Sequence, residues 1–181
     1  MKLNEKTLTR HDLYDGRVLK MHVDDIELPD GKTAQRECVD HPGGVCVGAL
    51  TEDNELMFVS QYRYPYHEVV LELPAGKLEQ GENPDDAIRR ELKEETGCTG
   101  RDWRFLGNMY PTPGYTNELL RLYFCRVDAD TDELSLDEDE FIEVTRIPLD
   151  KAVRMVMSNE IPDGKTQIII LKIKELLGGE S

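Results

Sequence analysis

The stretch from Ala75 to Gly97, AGKLEQGENPDDAIRRELKEETG, constrains this chain more than any other part of it. Asn83 followed by Pro84 makes an N-cap and first-turn pair, and Asp85 and Asp86 suit the positive end of a helix dipole. Gly97 supplies a stop, so the spacing predicts a helix over residues 84–96. With about 100° between successive residues, Glu95 lies about 40° to one side of Glu91 and Glu94 about 60° to the other. Three carboxylates therefore share one face, although like charges three and four apart repel by about 0.2–0.5 kcal/mol per pair. Arg89 and Lys93 fall on the far side, and by the same geometry Arg90 reaches only Glu94. Ala87 and Ile88 lie on or beside the acidic arc one turn earlier, so the carboxylates border the buried face. Partly buried carboxylates without basic partners are costly, and a hard divalent cation with oxygen ligands removes that cost. A solvated acidic face is the competing reading of such a helix taken alone.

Composition narrows what else the chain can do. Its 181 residues are enough for one domain, with or without a small appendage, and 39% hydrophobic with 33% charged residues is a globular mixture. The formal net charge of −15 repels polyanions and no Lys/Arg cluster stands out, so nucleic-acid binding by a basic face is not expected. A phosphorylated substrate would need cations to neutralise it. No apolar run approaches the roughly 20 residues of a membrane span, and MKLNEKTLTRHDLYDG lacks the apolar core of a signal peptide. A cytoplasmic location, with no membrane partner, is the expectation. Cys38, Cys46, Cys98 and Cys125 show no C-x-x-C spacing and are expected to be reduced core or strand residues, in preference to zinc ligands or disulfides.

The remaining segments organise around the helix. VLKMHVDDIEL and TAQRECV flank the turn PDGK, and VCVGAL and ELMFVSQYR flank residues 51–54, two hairpin patterns. VVLELP is a short strand leading into the opening segment, and WRFLGNMY, LLRLYFCRV and FIEVTRIPL are later strands. DKAVRMVMSN and TQIIILKIKELL read as two closing helices. Strands, helix, strands and helices in that order predict an α/β (α+β) fold, a mixed sheet between helices with an N-terminal β-hairpin or small sheet. The expected division is an antiparallel β subdomain over residues 1–40, serving as a dimer element, and a main domain over 41–181.

The spacing Gly76, Glu82, Arg90-Glu91-Leu92, Glu94-Glu95 and Gly97 resembles the Nudix box, the signature of the Nudix hydrolases. Cys98 departs from the family's aliphatic preference but packs as a small hydrophobe. The resemblance implies hydrolysis of a nucleoside diphosphate linked to another moiety, with Mg²⁺ or Mn²⁺ as cofactor. It makes Glu91 and Glu95 metal ligands, with Glu94 close by, and adds the backbone carbonyl of Ala75, placed by a loop that Gly76 allows to turn. Glu82 and Arg90 would orient the helix carboxylates.

Pro113 within PTPGYTNE, QRECVDHPGGVCV, VSQYRYP and VLKMHVDDIELPDGK resemble the ADP-ribose pyrophosphatase branch of that family. The branch implies conversion of ADP-ribose to AMP and ribose 5-phosphate by a homodimer with swapped N-terminal strands. The same resemblance assigns Arg63 to the diphosphate, Arg36 and Glu37 to the adenosine or terminal-ribose pocket, and Arg17 and Val18 to the partner subunit's site. It places Thr112, Pro113, Gly114 and Glu118 beside the substrate. Glu138 becomes the catalytic base and Glu140 its metal-side neighbour, with Glu94 the next candidate for the base. The bland alternatives are a strand-surface arginine, a hairpin ion pair, an ordinary turn and an acidic surface loop, respectively for Arg63, Arg36 with Glu37, residues 112–118 and residues 137–140. GDP-mannose or ADP-glucose are the alternative substrates. A non-catalytic ADP-ribose-sensing domain is the alternative class, disfavoured because every box glutamate is present.

Overall fold

The computed structural model describes residues 3–128, 136 and 141–179. Among the described residues, ten strands and three helices follow in the order β1 (Lys6–Asp15), β2 (Lys20–Glu27), β3 (Thr33–Asp40), β4 (Gly44–Leu50), β5 (Glu55–Arg63), β6 (Glu68–Glu72), β7 (Ala75–Lys77), α1 (Pro84–Thr96), β8 (Gly100–Met109), β9 (Leu120–Val127), β10 (Glu143–Pro148), α2 (Leu149–Met157) and α3 (Gly164–Gly178). They fall into two compact units. One runs up to Gly43 and includes Tyr110–Leu119; the other holds Gly44–Met109 and the chain from Leu120 onward.

The first unit is built on an antiparallel sheet ordered β1-β2-β3. β2 and β3 are the hairpin expected around PDGK, with Glu27 opposite Thr33 and Gly31 in the left-handed region at φ 83°. β1 was not anticipated as a strand, because KTLTRHDLYD carries no buried face: all ten of its residues are exposed. The second segment of this unit is tied to β3 by Val39 N–H to the Tyr115 carbonyl (2.7 Å) and Asn117 N–H to the Val39 carbonyl (3.2 Å).

The second unit carries a mixed seven-stranded sheet with the path β10-β5-β4-β9-β8, β6 pairing with β5 and β7 with β4. β4 runs parallel to β9 through seven residue pairs and meets β5 at Leu50 and Leu56. Central strands buried on both faces read as continuous apolar runs, as GVCVGAL does. Its alternate residues serve different layers. Val45, Val47 and Ala49 join Ala87, Ile88 and Leu92 of α1. Cys46 and Leu50 join Ile169, Ile170 and Ile173 of α3 and Ala152 and Val156 of α2. Gly48 lets α3 sit close, since a Cβ there would lie 2.2 Å from the Ile173 Cδ1 atom. The sheet is thus covered by helices on both faces. No helix among the described residues is long and apolar enough to cross a membrane.

Helix α1 has the expected limits. Asn83 accepts a hydrogen bond from Asp85 N–H at 2.9 Å, and Gly97 closes the helix at φ 70° with its N–H on the Lys93 carbonyl. Cys98 is buried in the α1 layer, and all four cysteines are free.

Candidate active site

The carboxylates of α1 are held against β7. Glu95 is 3% exposed, and its Oε2 accepts the Ala75 N–H at 3.0 Å. Glu91 lies over Gly76: a Cβ on that glycine would sit 1.9 Å from the Glu91 Cδ atom. This changes the reason for the glycine. Gly76 is a β7 residue outside the positive-φ glycines, so it is required for close approach and not for turning the chain. The turn ahead of α1 belongs instead to Gly81, at φ 79°.

Arg90 also does more than its helical angle suggested. Besides Glu94 (2.8 Å), its guanidinium reaches Glu91 (2.9 Å) and forks onto Glu82 at 3.0 and 3.2 Å. A long side chain curling back over its own helix spans distances that a Cα-based wheel does not represent. The acidic face is therefore partly neutralised by one arginine. The Arg90 hydrogen bonds hold the Glu82 carboxyl below the usual glutamate range. Glu82 in turn accepts the Glu79 N–H at 3.0 Å, which fixes the loop before α1.

A second charged group adjoins the first. Arg63, at the end of β5, forks onto Glu72 of β6 at 2.5 and 2.7 Å. Glu72 is only 2% exposed and is also bound by the Lys165 ammonium, which reaches Asp163 at 3.0 Å. Burial alone would raise the Glu72 carboxyl, but the Arg63 fork and Lys165 outweigh it and hold it below the usual range. Thr166 accepts the Leu73 N–H at 2.9 Å, so the start of α3 anchors the chain just ahead of Ala75. Glu72, Lys165 and Asp163 were missed by sequence reasoning. The signal was a carboxylate inside the apolar strand VVLELP, which requires a buried partner.

The structure thus gathers Arg63, Ala75, Glu82, Arg90, Glu91, Glu94 and Glu95 in one unit. Arg17, Val18, Arg36, Glu37, Thr112, Pro113, Gly114 and Glu118 belong to the other. Arg17 and Val18 occupy the β1–β2 turn. Arg36 is paired with Glu5 at 2.5 Å, and Glu37, its strand neighbour, points to the opposite face of the sheet. Thr112 begins a turn, its carbonyl accepting the Tyr115 and Thr116 N–H groups, and Glu118 lies 3.7 Å from the His41 ring. Glu138 and Glu140 lie outside the described residues.

The donor set on α1 is all oxygen, crowded, and backed by a glycine whose missing side chain leaves the space that the Glu91 carboxylate fills. That chemistry suits a hard divalent cation. A helix that presents carboxylates to a divalent cation, with an arginine fixed nearby, is an arrangement suited to metal-assisted hydrolysis. Family models agree on both parts of the chain: a NUDIX domain matches residues 40–167, and a nucleoside diphosphate sugar hydrolase N-terminal domain matches residues 5–39. The chain belongs to the Nudix family, whose hydrolases use divalent metals. It is 39% identical over 178 residues to an ADP-ribose pyrophosphatase of Bacillus subtilis, covering 97% of this chain and 96% of that one. It is 40% identical over 176 residues to a methanol dehydrogenase activator of Bacillus methanolicus, covering 96% and 95%. A crystal structure of an ADP compounds hydrolase superposes with a TM-score of 0.86 at 21% identity, covering 100% of this chain and 98% of that one.

Proposed function

We propose that this protein hydrolyses the diphosphate of ADP-ribose, giving AMP and ribose 5-phosphate, by attack of water at phosphorus. The observation that carries this reading is the seat of Glu91 on Gly76 beside buried Glu95, a carboxylate pair fixed before any substrate arrives. The N-terminal match to nucleoside diphosphate sugar hydrolases and the kinship with an ADP-ribose pyrophosphatase support the substrate class.

Glu91, Glu95 and the Ala75 carbonyl would hold Mg²⁺, or Mn²⁺, with Glu94 sharing it through water. When bound, the cation neutralises the diphosphate and lowers the pKa of coordinated water. Arg90, anchored by Glu82, orients Glu91 and Glu94. Arg63 presents its guanidinium to the diphosphate oxygens from a fixed position, because Glu72, itself held by Lys165, binds its other side. Glu138 is assigned as general base with Glu140 beside it, and Glu94 takes that role if Glu138 does not. Arg36 and Glu37 are assigned to the adenosine or terminal-ribose pocket, Arg17 and Val18 to the partner subunit's site, and Thr112, Pro113, Gly114 and Glu118 to the loop beside the substrate.

Residues 1–40 are proposed as an N-terminal β subdomain that exchanges strands in a homodimer, with 41–181 as the catalytic domain. The support is β1, exposed along its whole length with Leu8, Leu13 and Tyr14 uncovered. Free thiols suit a reducing cytoplasm.

Incubation with Mg²⁺ and a panel of ADP-ribose, ADP-glucose, GDP-mannose, NADH and diadenosine polyphosphates tests the reading. ADP-ribose is expected to be turned over best, with AMP and ribose 5-phosphate as products. Preference for GDP-mannose or ADP-glucose would move the assignment to another nucleoside diphosphate sugar, and turnover of none would overturn it.

A further inference from the structure

The N-terminal sheet holds a group of side chains that diphosphate hydrolysis does not use. His22 of β2 stands directly opposite Cys38 of β3, so their side chains share one face of the sheet. Asp24, two residues along β2, faces the same way, and its Oδ1 lies 2.8 Å from His22 Nδ1. One ligand atom from each of the three falls within 4.8 Å of the others. His22 is 5% exposed, Asp24 and Cys38 are half-buried, and the His22 Nε2 atom lies 3.6 Å from the Asp40 carboxylate.

The neighbouring arginines hydrogen-bond to carboxylates other than Asp24, Arg10 reaching the Asp40 oxygen that lies near His22 Nε2. Arg10 bonds Asp12 (2.7 Å) and Asp40 (2.8 Å), and Arg36 bonds Glu5. Two anionic-capable ligands and an imidazole thus converge at one point. Imidazole, thiolate and carboxylate are together the ligand set of zinc, whereas Mg²⁺ takes oxygen ligands and would prefer the α1 carboxylates. A ring nitrogen facing the cluster while the other faces a carboxylate is also how metal-bound histidines are oriented.

We propose that His22, Asp24 and Cys38 form a zinc site that clips β2 to β3, with a fourth position filled by water. Cys38 binds as the thiolate and its proton leaves to solvent. The site is independent of the diphosphate reading, being made of residues with no part in it.

Cobalt(II) titration of the full-length protein tests this directly, because thiolate ligation gives a near-ultraviolet charge-transfer band that oxygen ligation does not. The expected result is a band saturating at one equivalent per chain, displaced by Zn²⁺, and absent in Cys38→Ser. Asp24→Asn should weaken cobalt binding by about 10–100-fold. Zn²⁺ should raise the melting temperature of the unmodified protein more than that of Cys38→Ser. No band at saturating cobalt, or a band that survives Cys38→Ser, would overturn the proposal. So would an equal Zn²⁺-dependent melting shift in both proteins.

Discussion

The Glu91 carboxylate occupies the space where a side chain on Gly76 would be, with its Cδ atom 1.9 Å from the position of a Cβ. The glycine and the glutamate are therefore one device, and changing the first displaces the second. Gly76→Ala is expected to lower kcat/KM about 100-fold, the scale of a misplacement of about 1 Å at a reacting centre. Because the cost falls on metal placement, the variant should need more Mg²⁺ for half-maximal rate. A Mg²⁺ titration of the rate alongside the unmodified protein checks this.

Arg90 bridges Glu82, Glu91 and Glu94, which would otherwise repel one another. Arg90→Met should destabilise the protein most in the absence of divalent cations, and added Mg²⁺ should recover part of the loss. Thermal melts with chelator and with Mg²⁺, compared between the two proteins, measure the difference. A melting deficit that Mg²⁺ leaves untouched would separate Arg90 from the metal carboxylates.

Glu72 is buried between Arg63 and Lys165, with its carboxyl held below the ordinary glutamate value of 4.5. A depressed carboxyl contributes stability that is fully present above its unfolded pKa and is lost as pH falls through the lower folded-state value. Urea midpoints should therefore drop as pH falls below about 4.5, and that component should vanish in Glu72→Gln. Lys165→Met, which leaves a buried carboxylate with one partner fewer, is expected to cost about 3–5 kcal/mol at neutral pH.

Strand β1 exposes Leu13 at 60% and Tyr14 at 63%, large apolar residues on a strand with no buried face. If a second copy covers them, Leu8→Glu combined with Leu13→Glu should yield a monomer while leaving Mg²⁺ binding at α1 intact. Sedimentation equilibrium reads the outcome. A monomeric mass for the unmodified protein would contradict the strand exchange.

What was legible in the sequence followed from local rules. Asn83-Pro84 and Gly97 marked both ends of α1, and continuous apolar runs marked the central strands. The carboxylate arc was legible because helical spacing alone decides it. Arg90 was misjudged because its reach depends on side-chain length and on Glu82, eight residues earlier, in a loop with no periodicity. Gly76 was read as a turn because sequence does not distinguish a glycine needed for φ from one needed for space. Lys165 and Glu72 meet across 93 residues, a pairing that only the packing of α3 onto the sheet creates. β1 carried no alternation because neither of its faces is buried within the chain.

The central claim is that the α1 carboxylates act through a bound divalent cation on a diphosphate. Glu95→Gln tests it most directly, since the amide preserves size and still offers an oxygen to the Ala75 N–H but is a poor cation ligand. Measured with ADP-ribose and saturating Mg²⁺, the variant should lose at least about 100-fold in kcat while its circular dichroism, and its melting profile in chelator, stay native. A rate within a few-fold of the unmodified protein would contradict the account.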